Sequence, residues 1–97
     1  MPTYLSLLNW TELGIKNVKD SPKRLDAVKK SLKGIGGELK AFYMLQGTYD
    51  AAILMEAPND EALAKLLLKV GAAGNVRTTT MRAYPEAEYR KILGDLG

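Results

Sequence analysis

The 97-residue chain contains no cysteine and no histidine. These absences exclude disulfides, thiolate catalysis, zinc sites of the usual cysteine and histidine type, histidine-ligated haem and a serine–histidine–aspartate triad within one chain. We therefore expect no metal site and no cofactor. Carboxylates, tyrosine, lysine and arginine remain for chemistry, so the sequence leaves open whether the protein is an enzyme.

Long apolar runs are also missing, since no segment approaches the roughly 20 residues that a membrane-spanning helix needs. The first residues lack the basic region followed by an apolar one that marks an export signal. We expect a cytoplasmic protein with no membrane partner. The chain has the length of one domain, residues 1–97, and a core of this size gains stability from oligomerisation.

The net charge of +3 is unevenly distributed, because residues 16–40 hold eight basic residues against three acidic ones. A basic patch raises nucleic acid as a partner. Most of these lysines belong to one amphipathic helix, where a solvated face is the favoured interpretation. Nucleic acid is therefore not expected to bind.

A β-hairpin is predicted where two strand-length apolar runs, residues 39–45 and 51–57, flank Gly47 and its polar neighbours. Glycine adopts positive φ at little cost, so the tightest turn has Gly47 and Thr48 as its loop. Tyr49 is expected to pack beside this turn or against a partner chain. Gly47 and Tyr49 are thus interpreted as structural residues.

The register of this hairpin separates two faces. Phe42 is predicted opposite Ile53 on a face covered by helices. Tyr43 is predicted opposite Ala52 on the other face, which also carries Asp50. The further pairs in this register are Gln46 with Tyr49, Met44 with Ala51 and Leu39 with Glu56.

Two more strands are predicted over residues 3–10 and 76–84. In the first, the face with Leu5 and Leu7 is predicted to be core, and in the fourth, Met81 marks the helix side. The opposite, uncovered side then carries Ser6, Leu8, Trp10, Thr78, Thr80 and Arg82.

Capping residues and apolar periodicity predict the helices. Thr11 caps a short helical turn, Ser21 followed by Pro22 begins a long helix, Asn59 caps a second long helix, and Pro85 begins a final one. The glycines predicted to end the two long helices are Gly34, Gly36, Gly37, Gly71 and Gly74.

The resulting order, βαββαβ with an extra C-terminal helix, predicts an α+β ferredoxin-like fold with a four-stranded antiparallel sheet. Helices would cover one face only, and the other is too apolar to be left in water. Two sheets packed face to face across a two-fold axis would bury it, which predicts a homodimer and leaves larger assemblies open. The apolar patch is predicted to contain Leu8, Trp10, Ala41, Leu45, Ala52 and Leu54.

Several segments also occur in an order that is characteristic of one family. They are residues 4–11, 14–17, 21–24, 36–37 and 74–80, together with Gly47, Tyr49 and Asp50. In this order they resemble the GYD-domain family of small bacterial and archaeal proteins, from about residue 2 to about residue 93. The resemblance implies a ferredoxin-like domain that forms a dimeric α/β barrel. It implies no function, because the dimeric α/β-barrel superfamily, in which this family is placed, includes cofactor-free monooxygenases, isomerases, haem-handling enzymes and amino-acid-sensing domains.

Two residues are candidates for catalysis, Asp50 and Tyr43. A partly buried Asp50 carboxylate could act as a general base, or it could be a turn residue that accepts backbone N–H bonds. Tyr43 could donate a phenolic hydrogen bond or simply pack in an interface.

The candidate ligand-binding residues are Ser6, Trp10, Thr78, Thr80 and Arg82. Arginine supplies a forked donor and threonine a hydroxyl, which suits an anionic or carbonyl-bearing ligand. Arg82 could equally pair with a carboxylate across the dimer. Trp10 could be a core or interface residue.

Three hypotheses about function follow. The first is a homodimer that binds a small organic ligand in the cleft between its two sheets. The second is a cofactor-independent isomerase or monooxygenase that uses Asp50 or Tyr43 for proton transfer. The third is an assembly or partner-binding protein.

Overall fold

The computed structural model describes residues 1–97 and contains four strands, four α-helices and a 3-10 turn. The strands are β1 (Thr3–Trp10), β2 (Glu38–Met44), β3 (Ala51–Glu56) and β4 (Val76–Ala83). The helices are α1 (Glu12–Lys16), α2 (Ser21–Gly34), α3 (Asp60–Ala72) and α4 (Glu86–Gly94), with the 3-10 turn at Val18–Asp20. None of these helices has the length and hydropathy of a membrane span.

The four strands form one antiparallel sheet in the order β2-β3-β1-β4, and α2 and α3 pack on one of its faces. The ferredoxin-like βαββαβ arrangement with an extra C-terminal helix is therefore confirmed. Seven side chains form the buried core, and they come from the sheet and both long helices: Tyr4, Leu32, Ile53, Met55, Ala57, Leu63 and Leu66.

Local capping explains where the helices begin and end. The Thr11 and Asn59 side chains accept hydrogen bonds from the first turns of α1 and α3, as predicted. Ser21 is the first residue of α2 rather than its cap, because the preceding 3-10 turn leads directly into the helix. Gly36 and Gly74 follow the two long helices with positive φ. Gly34 and Gly71, by contrast, lie inside their helices.

The hairpin has the predicted register near its turn but not at its far end. Phe42 pairs with Ile53 and Tyr43 with Ala52. The loop comprises four residues, 46–49, and not the predicted two, because the last bond of the hairpin joins the Leu45 N–H to the Asp50 carbonyl at 2.8 Å and Gln46 does not pair with Tyr49. A bulge between Leu39 and Ala41 then shifts the pairing, so that Leu39 lies opposite Met55 and Glu56 opposite Glu38.

The prediction for the faces of β1 is wrong. Tyr4 and Ser6 are buried against the helices, whereas Leu5 and Leu7 lie on the uncovered side. Both faces of this strand are apolar enough to be core, so alternation alone does not separate them. The hydroxyls of Tyr4 and Ser6 have hydrogen-bond partners inside the chain, which removes the main cost of burying them.

The faces of β4 are also opposite to the prediction. Thr80 lies beside Ser6 and Arg82 beside Tyr4, on the helix-covered side. Met81 is on the uncovered side and 42% exposed. The pairing of β4 with β1 determines which side each β4 residue faces. Thr80 lies opposite Ser6, and their hydroxyls are 2.8 Å apart.

The uncovered side of the sheet is called the open face below. Ala41, Ala52 and Leu54 lie on it as predicted, but Leu8 and Trp10 do not. The charged residues of this face lie at its ends, Glu38 and Glu56 at one end of the strands and Arg77 at the other. The uncharged residues at the centre of the open face are Leu5, Leu7, Ala41, Tyr43, Ala52, Leu54, Thr79 and Met81.

Candidate functional site

A cleft of about 480 Å³ opens between α2, α3 and the sheet, at the end of the sheet where β1 finishes. Of the 19 residues that line it, 12 are hydrophobic, so its surface is mainly apolar. Trp10, Val28 and Phe42 line this cleft and remain partly exposed. At the opposite end of the same face Leu32 and Met55 are 0% and 3% exposed. The helices therefore seal one end of the sheet and leave the other accessible.

Asp50 is the one carboxylate in the lining, and the main chain of β1 holds it there. The Trp10 N–H donates to Asp50 Oδ2 at 2.9 Å, and the Asp50 N–H donates to the Leu8 carbonyl at 2.8 Å. The Asn9 side chain adds a bond to the Thr48 carbonyl at 2.8 Å. The turn is thereby clamped to the end of β1. The Asp50 carboxylate forms no ion pair within the chain.

Two basic residues, Arg24 and Lys69, share the lining with Asp50. The Arg24 guanidinium donates to the carbonyls of Asn17 at 3.1 Å and Gly14 at 3.3 Å. Because a guanidinium has five N–H donors, these two bonds leave others for a ligand. Neither basic residue forms an ion pair within the chain.

The position of α1 beside this cleft depends on Gly14. A Cβ at Gly14 would lie 1.8 Å from the Asn75 carbonyl oxygen, which only glycine avoids. The Thr11 N–H also donates to that oxygen at 3.1 Å, and the Thr11 hydroxyl donates to the Gly74 carbonyl at 2.5 Å. This close contact fixes the position of α1, and with it the position of the Gly14 and Asn17 carbonyls that Arg24 binds.

Arg82 and the polar residues near it form a separate cluster at the sealed end. Arg82 donates to the Thr3 and Ala83 carbonyls and to Glu88, and its guanidinium lies over the rings of Tyr4 and Tyr84 at 5.8 and 4.4 Å. The Arg82 guanidinium is therefore bound by groups of its own chain. Of the predicted ligand-binding residues, Ser6 and Thr80 bond each other, and neither they nor Thr78 and Arg82 line the cleft.

The Tyr4 phenol belongs to the same sealed end. Burial, followed by the hydrogen bond to Asp60 and the charge of that carboxylate, raises the pKa of Tyr4 above its usual 10.0, while the positive charge of Arg82 opposes the shift. Tyr4 is therefore a neutral hydrogen-bond donor at physiological pH.

The two predicted catalytic residues lie on different sides of the sheet. Tyr43 is 65% exposed on the open face, whereas Asp50 lines the cleft. Gly47 has φ +138 in the loop, with no atom within 4 Å of where a Cβ would be, and Tyr49 is half-buried beside it. Trp10 and Asp50 are therefore the predicted site residues that the structure brings together.

Sequence reasoning missed the contribution of α2 to the cleft. Arg24, Ala27, Val28 and Ser31 follow helical spacing and line it, next to the core stripe that contains Leu32. The signal that could have identified this wall is the small size of Ala27 and Ser31, since small side chains leave space beside a helix.

Comparison with known proteins places the chain in a family. The sequence profile described as the GYD domain matches residues 4–93. The chain belongs to the GYD domain family. A relative from Thermus thermophilus, named glutamine synthetase and cystathionine beta-lyase binding protein, is 30% identical over 89 residues, which are 91% of this chain and 94% of the relative.

Solved structures share the fold of this GYD domain at low sequence identity. A feast or famine regulatory protein from M. tuberculosis, complexed with L-methionine, has a TM-score of 0.66 at 18% identity. The match covers 88% of this chain and 51% of that one, so the GYD chain spans about half its length. A hypothetical protein from Pyrococcus horikoshii has a TM-score of 0.55 at 21% identity, over 88% of this chain and 92% of its own.

Proposed function

We propose that this GYD-domain protein is a binding protein without turnover, which holds a small and largely apolar organic molecule in the cleft between α2, α3 and the sheet. The observation that carries this proposal is the cleft itself. Its volume of about 480 Å³ lies within the range of small-molecule sites, and such sites combine an apolar lining with a few polar groups. Asp50, Arg24 and Lys69 are its charged groups.

This position differs from the one expected from sequence, which was the space between the sheets of two copies. The cleft lies on the helix-covered side and is complete within one chain. The names of two similar proteins support a binding role, because one is a binding protein and the other a regulatory protein complexed with an amino acid.

No specific observation favours the cofactor-independent enzyme. Tyr43 is 65% exposed on the open face and does not line the cleft, so the second proton-transfer candidate does not lie beside Asp50. One oxygen of Asp50 already accepts a hydrogen bond from the Trp10 N–H, and this bond holds the turn against the end of β1. The proposal is therefore restricted to binding.

Trp10 provides the test, since it is the sole tryptophan and lines the cleft. Small apolar alcohols and amines titrated into the protein should change its fluorescence in a saturable way. Ala27→Phe, which fills the cleft from α2, should abolish the change, while Ala64→Phe at an exposed position of α3 outside the cleft should retain it. Saturable binding that survives Ala27→Phe, or no response to any probe, would contradict the proposal.

A second function, self-association through the open face, is favoured by the exposure of its apolar side chains. Tyr43, Leu54 and Met81 are 65%, 37% and 42% exposed. Across a two-fold axis every residue near the axis meets its own copy, so a face with an apolar centre and charges at its ends suits a second copy of this chain. This pairing of two sheets is the dimeric barrel expected from the family resemblance.

Sedimentation velocity tests this association. Leu54→Glu should convert the dimer to a monomer, because two buried carboxylates would face each other without a cation. Leu68→Glu is the matched control, since Leu68 is 74% exposed on α3, away from the open face. A wild-type chain that sediments as a monomer, or a Leu54→Glu variant that stays dimeric, would contradict this second proposal.

A further inference from the structure

We infer that the cleft recognises a zwitterion with an apolar body, the class to which α-amino acids with branched or long aliphatic side chains belong. Asp50 would bind the ammonium group, Arg24 the carboxylate, and the helices and sheet the apolar part, while Lys69 adds a second positive charge to the lining. This inference rests on the proposed binding function and specifies its ligand class.

The first step is the state of Asp50. Its carboxylate is half-buried in a mainly apolar lining and pairs with no lysine or arginine of the chain. A charge in such surroundings is stabilised by a counter-charge that brings hydrogen bonds. The bond from the Trp10 N–H fixes its position before a ligand arrives. An ammonium group supplies both the charge and the donors.

The second step concerns the opposite charge. Arg24 and Lys69 give the lining two positive groups against one negative group, so a simple amine would satisfy Asp50 but meet an excess of positive charge. A ligand that also carries a carboxylate removes this excess. The guanidinium of Arg24 is held by two main-chain carbonyls and retains donors for that carboxylate.

The third step is the position of the apolar part. Asp50 and Arg24 lie at the end of the cleft near the end of β1, where the Trp10 N–H holds Asp50 and the Gly14 carbonyl of α1 holds Arg24. The rest of the lining is mainly apolar, with Lys69 as its one further charge, and includes Leu25, Val28, Ile53, Leu66 and Val70. A molecule with its charges at one end and a hydrocarbon chain at the other matches this arrangement.

Four probes with the same hydrocarbon part separate the contributions. They are L-leucine, isoamylamine, which lacks the carboxylate, 4-methylpentanoate, which lacks the ammonium group, and isoamyl alcohol, which has no charge. In titrations of the full chain followed by Trp10 fluorescence, L-leucine should bind about tenfold or more tightly than each of the others, as expected for a charge-assisted hydrogen bond.

Variants assign the charges. Asp50→Asn should weaken L-leucine and isoamylamine about tenfold and leave 4-methylpentanoate unchanged. Arg24→Gln should weaken L-leucine and 4-methylpentanoate instead. Asp26→Asn, an exposed carboxylate of α2 outside the cleft, should change none of the affinities. Asparagine keeps an oxygen that can accept the Trp10 N–H, and circular dichroism would verify that the variant is folded.

The outcomes distinguish the two proposals. Equal affinity for isoamyl alcohol and L-leucine would overturn the zwitterion inference while leaving a binding cleft. An Asp50→Asn variant with unchanged affinity for L-leucine would overturn it as well. The absence of saturable binding of all four probes, together with a negative screen of apolar compounds, would overturn the proposed binding function itself.

Discussion

The two ends of the helix-covered face differ in how completely they are closed. At the sealed end Leu32, Met55 and Leu63 are 0%, 3% and 3% exposed. At the cleft end Trp10 and Phe42 line an accessible space of about 480 Å³. The same two helices and the same sheet form both ends, so the side chains decide the difference. The comparison indicates that stability is concentrated where the helices meet the sheet closely, which leaves the other end free for binding.

The largest effect should come from truncating the sealed end. Leu32→Ala would leave a cavity around a side chain with no exposed surface, and we expect a loss of about 2–5 kcal/mol in the free energy of unfolding. Phe42→Ala, at a residue that is 39% exposed, should cost about 1–2 kcal/mol because its site is already open to water. Urea denaturation of both variants measures the difference. Equal losses in the free energy of unfolding would contradict the view that the sealed end is more tightly packed than the cleft end.

Gly14→Ala tests the close contact that supports the cleft end. The new Cβ would overlap the Asn75 carbonyl oxygen, so we expect a loss of about 3 kcal/mol in unfolding free energy. Gly34→Ala is the control, since Gly34 lies in α2 with no atom within 4 Å of its Cβ position, and a helical alanine should add about 0.5–1 kcal/mol. Thermal melts should move in opposite directions, and a Gly14→Ala variant as stable as wild type would contradict the contact.

Asp50→Ala should remove the acceptor of the Trp10 N–H and cost about 1–3 kcal/mol. Asp50→Asn should cost less, because its amide oxygen can still accept that bond. Hydrogen exchange of the Trp10 amide gives the local readout. We expect faster exchange in the alanine variant than in the asparagine variant, and identical exchange in both would show that the side chain does not clamp β1.

Tyr4→Phe is expected to have the smallest effect, about 1 kcal/mol, through loss of the hydrogen bond to Asp60. Because the pKa of Tyr4 is raised in the folded chain, the folded state keeps its proton when the unfolded state begins to lose it. Tyr4 therefore makes its full contribution to the free energy of unfolding below about pH 10, and this contribution declines as the pH rises above that value. Denaturation at pH 8 and pH 11 should show a smaller difference between wild type and Tyr4→Phe at pH 11.

The parts of the fold that sequence predicts well are those set by local signals. The turn at Gly47 and the alternation around Phe42 and Tyr43 predict the hairpin register near the turn correctly, because these signals lie within a few residues of each other. The bulge at Lys40 has no comparable signal. Lys40 contacts Glu38 of its own strand at 3.3 Å, but its contact with Glu56 of β3 at 4.0 Å forms only once the strands are paired.

The faces of β1 and β4 depend instead on distant partners. Ser6 and Thr80 are 74 positions apart, and Tyr4 and Asp60 are 56 apart, yet each pair satisfies hydroxyls that would otherwise favour the solvent side. The pattern of apolar residues within one strand therefore cannot show which face of β1 or β4 is buried. For the same reason sequence identified Trp10 and Asp50 as candidates but did not join them to Arg24, which reaches the cleft from another element.

The C-terminal helix α4 has a consequence for local unfolding. None of its residues is buried, and Tyr89, Ile92 and Leu93 are 54%, 45% and 47% exposed. The ion pair between Glu88 and Arg82 joins α4 to the sheet. A helix of nine residues with so few tertiary contacts is marginal in water, so α4 should open at a much lower free energy than the sheet. Its amide protons therefore report how often another surface covers it, independently of whether the remainder of the chain is folded.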